Sequence, residues 1–289
     1  MIPIQILRCH IETDGVFHFG RSAGSAVRGA LYTALTTMYD TQEDVGRNSL
    51  EDNPVAWLLR LEVDDDTVTG GKDVPRPMGI RPALSDKVSK IAFSLAFYGK
   101  AEKTISLVLS ALPLMGELGI GRGRAQFRLV KVETVDPLTG NASLLIDEYG
   151  QTIGKLLTPP ATKHYTTFAR LLRDDRLRVN FLTPTRIIDR GNLCHVPDFR
   201  PWFQRLIERT RQISELYMEE AIWVPFGDLL TVAEDISMVE DETHWYEAKS
   251  GSRRDGMMKP ISGFVGSVTY EGNFAPLLPY VLLGQALQV

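Results

Sequence analysis

Residues 2–13, IPIQILRCHIET, alternate apolar and polar positions well enough for a strand, with Ile4, Ile6, Cys9 and Ile11 among its apolar positions. Asp14-Gly15 reads as a turn. Beyond it the period lengthens: Val27, Leu31, Ala34, Leu35 and Met38 recur at helical spacing, with Ser22 or Ser25 placed to cap the helix. Residues 40–90 are acidic and turn-rich, and they predict loops with one short strand around residues 57–63, WLLRLEV. A second strand at 91–98 sets Ile91, Phe93, Leu95 and Phe97 on one face. A helix over about 103–118 follows, which Pro113 should kink or end. Three glycines in GIGRGR then turn the chain into a strand with Phe127, Leu129, Lys131 and Glu133 on one face and Val130 and Val132 opposite.

The second half repeats the plan. Residues 177–187 predict a strand ending at Pro184, and residues 197–217 an amphipathic helix with Phe199, Trp202, Phe203, Leu206, Ile213 and Leu216 inward. Residues 225–250 read as an acidic loop region. A strand over 261–270 carries small residues suited to close backbone approach, and an apolar helix runs to the end. Leu112-Pro113 and Leu278-Pro279 open matching segments, but only the first continues through a glycine turn into another strand. The pattern predicts an α+β protein of two tandem ferredoxin-like (βαββαβ) domains, the second lacking its last strand. The expected boundaries are 1–137 and 177–289, with 138–176 as linker. A missing last strand leaves an edge for a partner to cover, or marks a shortened chain.

Composition narrows the class. Hydrophobic residues at 44% and charged residues at 24% describe a globular chain and exclude disordered, collagen-like and coiled-coil proteins. No run of about 18 apolar residues is present and the first residues do not follow a signal-peptide plan, so no membrane partner is expected. Two cysteines are too few for a disulfide framework or a cysteine-built zinc site, and a cytoplasmic location is the expectation. Net charge is −4, unevenly spread. Residues 1–117 hold 12 basic and 15 acidic side chains, residues 118–214 hold 16 and 9, and residues 215–289 hold 4 and 12. Thirteen of the central sixteen are arginine, whose planar fork suits phosphate.

The chemistry-bearing residues are few. Arg28 lies three positions after Ser25 and four before Tyr32, so the three share one helix face, suited either to phosphate contact or to packing. GIGRGR sits between a helix and a strand, the reverse of a dinucleotide motif, but with Arg122, Arg124 and Arg128 beside it the turn fits a polynucleotide backbone. Arg253, Arg254 and Lys259 precede the second small-residue strand in the same manner. His10, late in the first strand, reads as structural; His164 and His244 read as solvated. His195 beside Cys194 lacks the companions a metal site needs.

Four segments resemble a known family. GSAVRGALYTAL, GELGIGRGRAQFRL, FLTPTRI and the stretch from SGSRRDGMMKP to LPYVLLGQ are similar to the CRISPR precursor-RNA processing endoribonucleases of the RAMP superfamily. The resemblance implies two ferredoxin-like domains and binding of CRISPR repeat RNA. It implies cleavage without metal or cofactor, through attack of the upstream 2′-hydroxyl on the scissile phosphate. It places His18, just before the first helix, with Tyr32 as the catalytic pair and Arg28 aiding the phosphate. Two departures stand out: the first helix carries no histidine, and the family's glycine-rich loop and last strand do not follow the Leu-Gly-Gln segment. They leave open a second reading, a non-catalytic RNA-holding subunit partnered by other CRISPR effector subunits.

Overall fold

A computed structural model describes residues 3–19, 23–39, 50, 52–59, 74–82, 87–121, 123–172, 175–247, 249–251, 258–260 and 262–288. They divide into two compact units. The first comprises Met1–His164, Thr210–Ile222 and Gln285–Val289; the second comprises Tyr165–Arg209 and Trp223–Gly284.

In the first unit β1 (Ile4–Phe17) leads to α1 (Ala23–Tyr39), and a short helix α2 (Pro54–Leu59) follows. Then come β2 (Met78–Arg81), β3 (Val88–Tyr98), a 3-10 turn at Gly99–Thr104, α3 (Ile105–Leu118), β4 (Arg128–Val135) and β5 (Ala142–Ile146). The sheet order is β2-β3-β1-β4-β5 with every pair antiparallel. β1 and β2 therefore run the same way with β3 between them, and β3 and β4 likewise flank β1, as in the split βαβ arrangement of a ferredoxin-like unit. Alternation sends Leu7, Cys9 and Ile11 of β1 to the face packed by Val27, Leu31 and Leu35 of α1 and Val108, Leu112 and Met115 of α3, all buried.

Three departures from the sequence pattern have local causes. The stretch read as a strand around Trp57 is α2 as far as Leu59, and Asn53 Oδ1 accepts from the Ala56 amide at 2.9 Å, an N-capping bond that favours the helix; residues 60–63 lie outside the described residues. α3 runs on through Pro113 to Leu118. Pro113 is exposed, so water can solvate the carbonyl it leaves unpaired. Residues 138–176, read as linker, hold β5, which an Asp136-centred turn folds back on β4: Asp136 Oδ1 accepts from the Leu138 and Thr139 amides at 2.8 Å each. The same stretch holds α4 (Thr162–Leu171).

Beyond α4 the chain continues with β6 (Arg176–Thr185), the hairpin β7 (Ile187–Asp189) and β8 (Asn192–Cys194), and α5 (Phe199–Tyr217), whose residues from Thr210 onward belong to the first unit. The acidic stretch read as loop contains α6 (Phe226–Glu234), β9 (Ser237–Asp241) and β10 (His244–Tyr246). It hid them because all five residues of β9 are exposed and display no apolar alternation. A hairpin of β11 (Lys249–Gly251) and β12 (Met258–Pro260), then β13 (Gly263–Glu271) and α7 (Leu278–Leu287), complete the order. β13 pairs antiparallel with β6 on one side and with β9 and β10 on the other. Among the described residues β6 pairs in this sheet with β13 alone. The core is aromatic: Phe199 stacks on Phe203 and meets Tyr270 and Phe274 edge-on, and Phe181 meets Trp202 and Phe264. Leu216 of α5, read as inward, is exposed. No described helix is long and apolar enough to cross a membrane.

Candidate functional site

The glycine turn is built by backbone demands. α3 ends where Gly119 adopts φ +77° and its amide bonds the Met115 carbonyl at 3.0 Å. Ile120 and Ala125 exchange both backbone bonds at 3.0 Å, closing a tight hairpin with Gly121 at φ +77° and Arg124 at φ +46°. A Cβ on Gly119 would lie 2.3 Å from the Arg124 carbonyl oxygen, so only glycine fits. Arg124 and Arg128 leave this turn exposed.

The turn lies against the chain segment carrying His18. A Cβ on Gly121 would sit 3.4 Å from the His18 carbonyl oxygen and 3.6 Å from the Phe19 ring. Phe19 stacks on Phe17 at 5.5 Å, and Phe17 packs against Phe127, which anchors the segment beneath the turn. The His18 side chain is exposed. On α1, Arg28 is exposed and Tyr32 is half-buried against the core one turn further along. The structure thus brings His18 and the glycine turn together and holds Arg28 and Tyr32 on adjacent turns of α1. Arg122, Arg253 and Arg254 lie outside the described residues. Lys259 lies in β12, paired with Ser250 of β11.

The remaining histidines fall apart in space and role. His164 Nδ1 accepts from the Ala161 amide at 3.0 Å at the start of α4, and His195 packs its ring 4.5 Å from Trp245. No group of three or more metal-ligating side chains occurs among the described residues.

A second polar cluster, unforeseen from the sequence, surrounds His10. β4 has a bulge opposite His10 and Ile11 of β1. It breaks the alternation expected from Phe127 to Glu133: Leu129 pairs with Ile11 and packs on the core, whereas Lys131 pairs with His10 and Glu133 with Arg8. Arg8, His10 and Glu12 therefore stand with Lys131 and Glu133 on the face of the sheet opposite Cys9 and Ile11. His10 Nε2 lies 2.8 Å from Glu133 Oε2, Arg8 Nη1 approaches the same oxygen at 3.7 Å, and Lys131 Nζ donates to Oε1. Partial burial pushes Glu133 up, but the hydrogen bonds from Lys131 and His10 outweigh it and hold the carboxyl below its usual range. Along the same face Glu12 is gripped by Lys90 at 3.0 Å and by Arg128, and the Lys90 hydrogen bond leads the effects that lower its pKa. The signal was the Arg-x-His-x-Glu alternation of β1; its partners depended on the bulge.

Residues 2–158 match a family model described as an N-terminal domain, AF_1859_N, and residues 179–289 match that of the CRISPR-associated endoribonuclease Cas6. The chain has a mixed α/β architecture of two sheet-bearing units, a fold it shares with solved structures of Cas6 proteins. The chain belongs to the family that the AF_1859_N model defines, and its residues 179–289 carry the match to the CRISPR-associated endoribonuclease Cas6. Its fold is similar to that of a Cas6 (TTHB231) product complex at 12% identity, covering 98% of this chain and 91% of that one, with TM-score 0.54. Thermus thermophilus Cas6 (TTHB231) gives 13% identity, 99% and 90% coverage and TM-score 0.53. A Cas6 (TTHA0078) product complex gives 13%, 99% and 96%, and TM-score 0.50. No curated protein matches the chain.

Proposed function

We propose that this protein binds CRISPR repeat RNA and cleaves it without a metal ion. The Cas6 match over residues 179–289 supports the reading, and one observation carries it: the arginine-flanked glycine turn lies directly on the segment that presents His18. Glycine lets backbone amides approach a phosphate, and Arg124 and Arg128 supply charge beside it. Arg122, Arg253, Arg254 and Lys259 extend the RNA contact.

The reaction is an in-line attack of the 2′-hydroxyl on the adjacent phosphorus. The new O–P bond forms as the bond to the 5′-oxygen breaks, leaving a 2′,3′-cyclic phosphate and a 5′-hydroxyl. A base must take the 2′-hydroxyl proton and an acid must protonate the leaving oxygen. His18 is assigned to proton transfer, because imidazole exchanges protons near neutrality. Tyr32 is assigned to hydrogen bonding at the reacting oxygens, and Arg28 to stabilising charge on the phosphate. A second reading, an RNA-holding subunit working with other CRISPR effector subunits, is favoured by the half-buried position of Tyr32 on a helix without histidine.

Cleavage of repeat RNA in EDTA by the wild type, His18→Ala and Tyr32→Phe separates them. We expect a cyclic-phosphate product from the wild type and a rate loss of about 10²–10⁴ in His18→Ala, the usual contribution of acid–base catalysis. Tight binding without cleavage would leave the holding subunit; a fully active His18→Ala would remove His18 from the mechanism.

A further inference from the structure

The cluster around Glu133 has the form of an occupied anion site. Three donors from two strands, Arg8 and His10 of β1 and Lys131 of β4, converge on one carboxylate. Glu133 keeps only 15% of its side-chain surface, while Arg8 and Lys131 remain 37% and 38% exposed. Four residues along β1, about 13 Å at strand rise, Glu12 is held in the same way by Lys90 of β3 and Arg128 of β4. The face at these positions therefore carries four permanent cations and a histidine against two carboxylates. That excess of positive charge complements a polyanion, and Ser94 and Ala92 of β3, paired with Arg8 and His10, add no opposing charge.

We propose that this sheet face is an RNA-backbone contact in which Glu133 occupies the place of a phosphate until RNA displaces it. The inference rests on the reading that the chain binds RNA, and it extends the contact from the glycine turn, through Arg128, along the sheet face to Arg8 and Lys131. A carboxylate and a phosphate oxygen offer the same donors the same acceptor geometry, and arginine forks favour both. Bound RNA gains Arg8, His10 and Lys131, and the freed Glu133 turns toward solvent. The carboxylate is then a built-in competitor that weakens binding and keeps the donors ordered in the absence of RNA.

The competitor makes the proposal testable in both directions. Binding of a fluorescein-labelled repeat RNA is followed by anisotropy over a salt series for the wild type, Glu133→Gln, the double variant Arg8→Gln/Lys131→Gln, and its charge-keeping counterpart Arg8→Lys/Lys131→Arg. Glu133→Gln should bind several-fold tighter. The double Gln variant should bind roughly tenfold weaker, with a salt slope smaller by about 1.4, the share of two phosphate contacts on a single strand. The charge-keeping variant should recover most of the slope. A purely structural cluster would shift the melting temperatures and leave affinity and slope unchanged in all three, and that result overturns the proposal. A wild type with no salt-dependent RNA binding brings down the RNA reading itself, and this inference with it.

Discussion

At the scale of single residues, burial separates two thiols that the sequence could only count. Cys9 lies on the core face of β1 at 0% exposure, and burial pushes its thiol up to about 12. Cys194 on β8 is half-buried. We expect a thiol reagent to label one cysteine in the native protein and both in denaturant, with Cys194→Ser abolishing the native signal. The same shift has a thermodynamic sign. A group whose folded pKa is raised stabilises fully below its unfolded value, so Cys9 stabilises below pH about 8.5. That stability is lost as pH rises toward 12. Chemical denaturation of the wild type and Cys9→Ala at pH 7 and pH 10 should show a steeper loss in the wild type. Glu133 runs the other way: its lowered pKa contributes stability above the carboxylate range that disappears as pH falls, so Glu133→Gln should flatten the acid limb of the melting curve. The apolar alternation of β1 made Cys9 legible as a core candidate. Lys131 was legible beside Glu133 on one strand face, but Arg8 and His10 were not, because they lie on a strand more than a hundred residues away.

At the scale of elements, the glycine turn joins fold to proposed site. Gly119 needs both its positive φ and its missing side chain, since a Cβ would meet Arg124 backbone at 2.3 Å. Gly119→Ala should cost about 1–3 kcal/mol through strain and overpacking. Thermal melting measures that cost, and RNA affinity should fall with it because Arg124 and the His18 segment share the turn. Gly123→Ala, with nothing within 4 Å of its Cβ, is the matched control for folding and should leave the melting temperature nearly unchanged. The helix–turn–strand succession around this point was readable because a 3.6-residue period gives way to glycines and then to a period of two. α2 and β9 were not: a six-residue helix spans under two turns, and a fully exposed strand has no apolar face to alternate. The β4 bulge was equally hidden, since it appears only when β4 is laid against β1.

At the scale of the whole molecule, charge distribution governs what the proposed function requires. A chain of net charge −4 should still bind repeat RNA with steep salt dependence if Arg122, Arg124, Arg128, Arg253, Arg254 and Lys259 each meet a phosphate. Their combined slope of log affinity against log salt is about −4 on a single strand. A slope near zero would sink all six assignments together. The linear sequence by itself determined the mixed α and β class, the arginine-rich central third and the family resemblance. Each is written in local order: periodicity, turn residues, composition and short motifs survive without knowledge of the fold. Only the tertiary structure decided that the glycine turn rests on His18, that Tyr32 is half-buried, and that Arg8, His10 and Lys131 close around Glu133. Those facts depend on strand pairing and register, where residues distant along the chain meet and one bulged residue changes which side chains share a face.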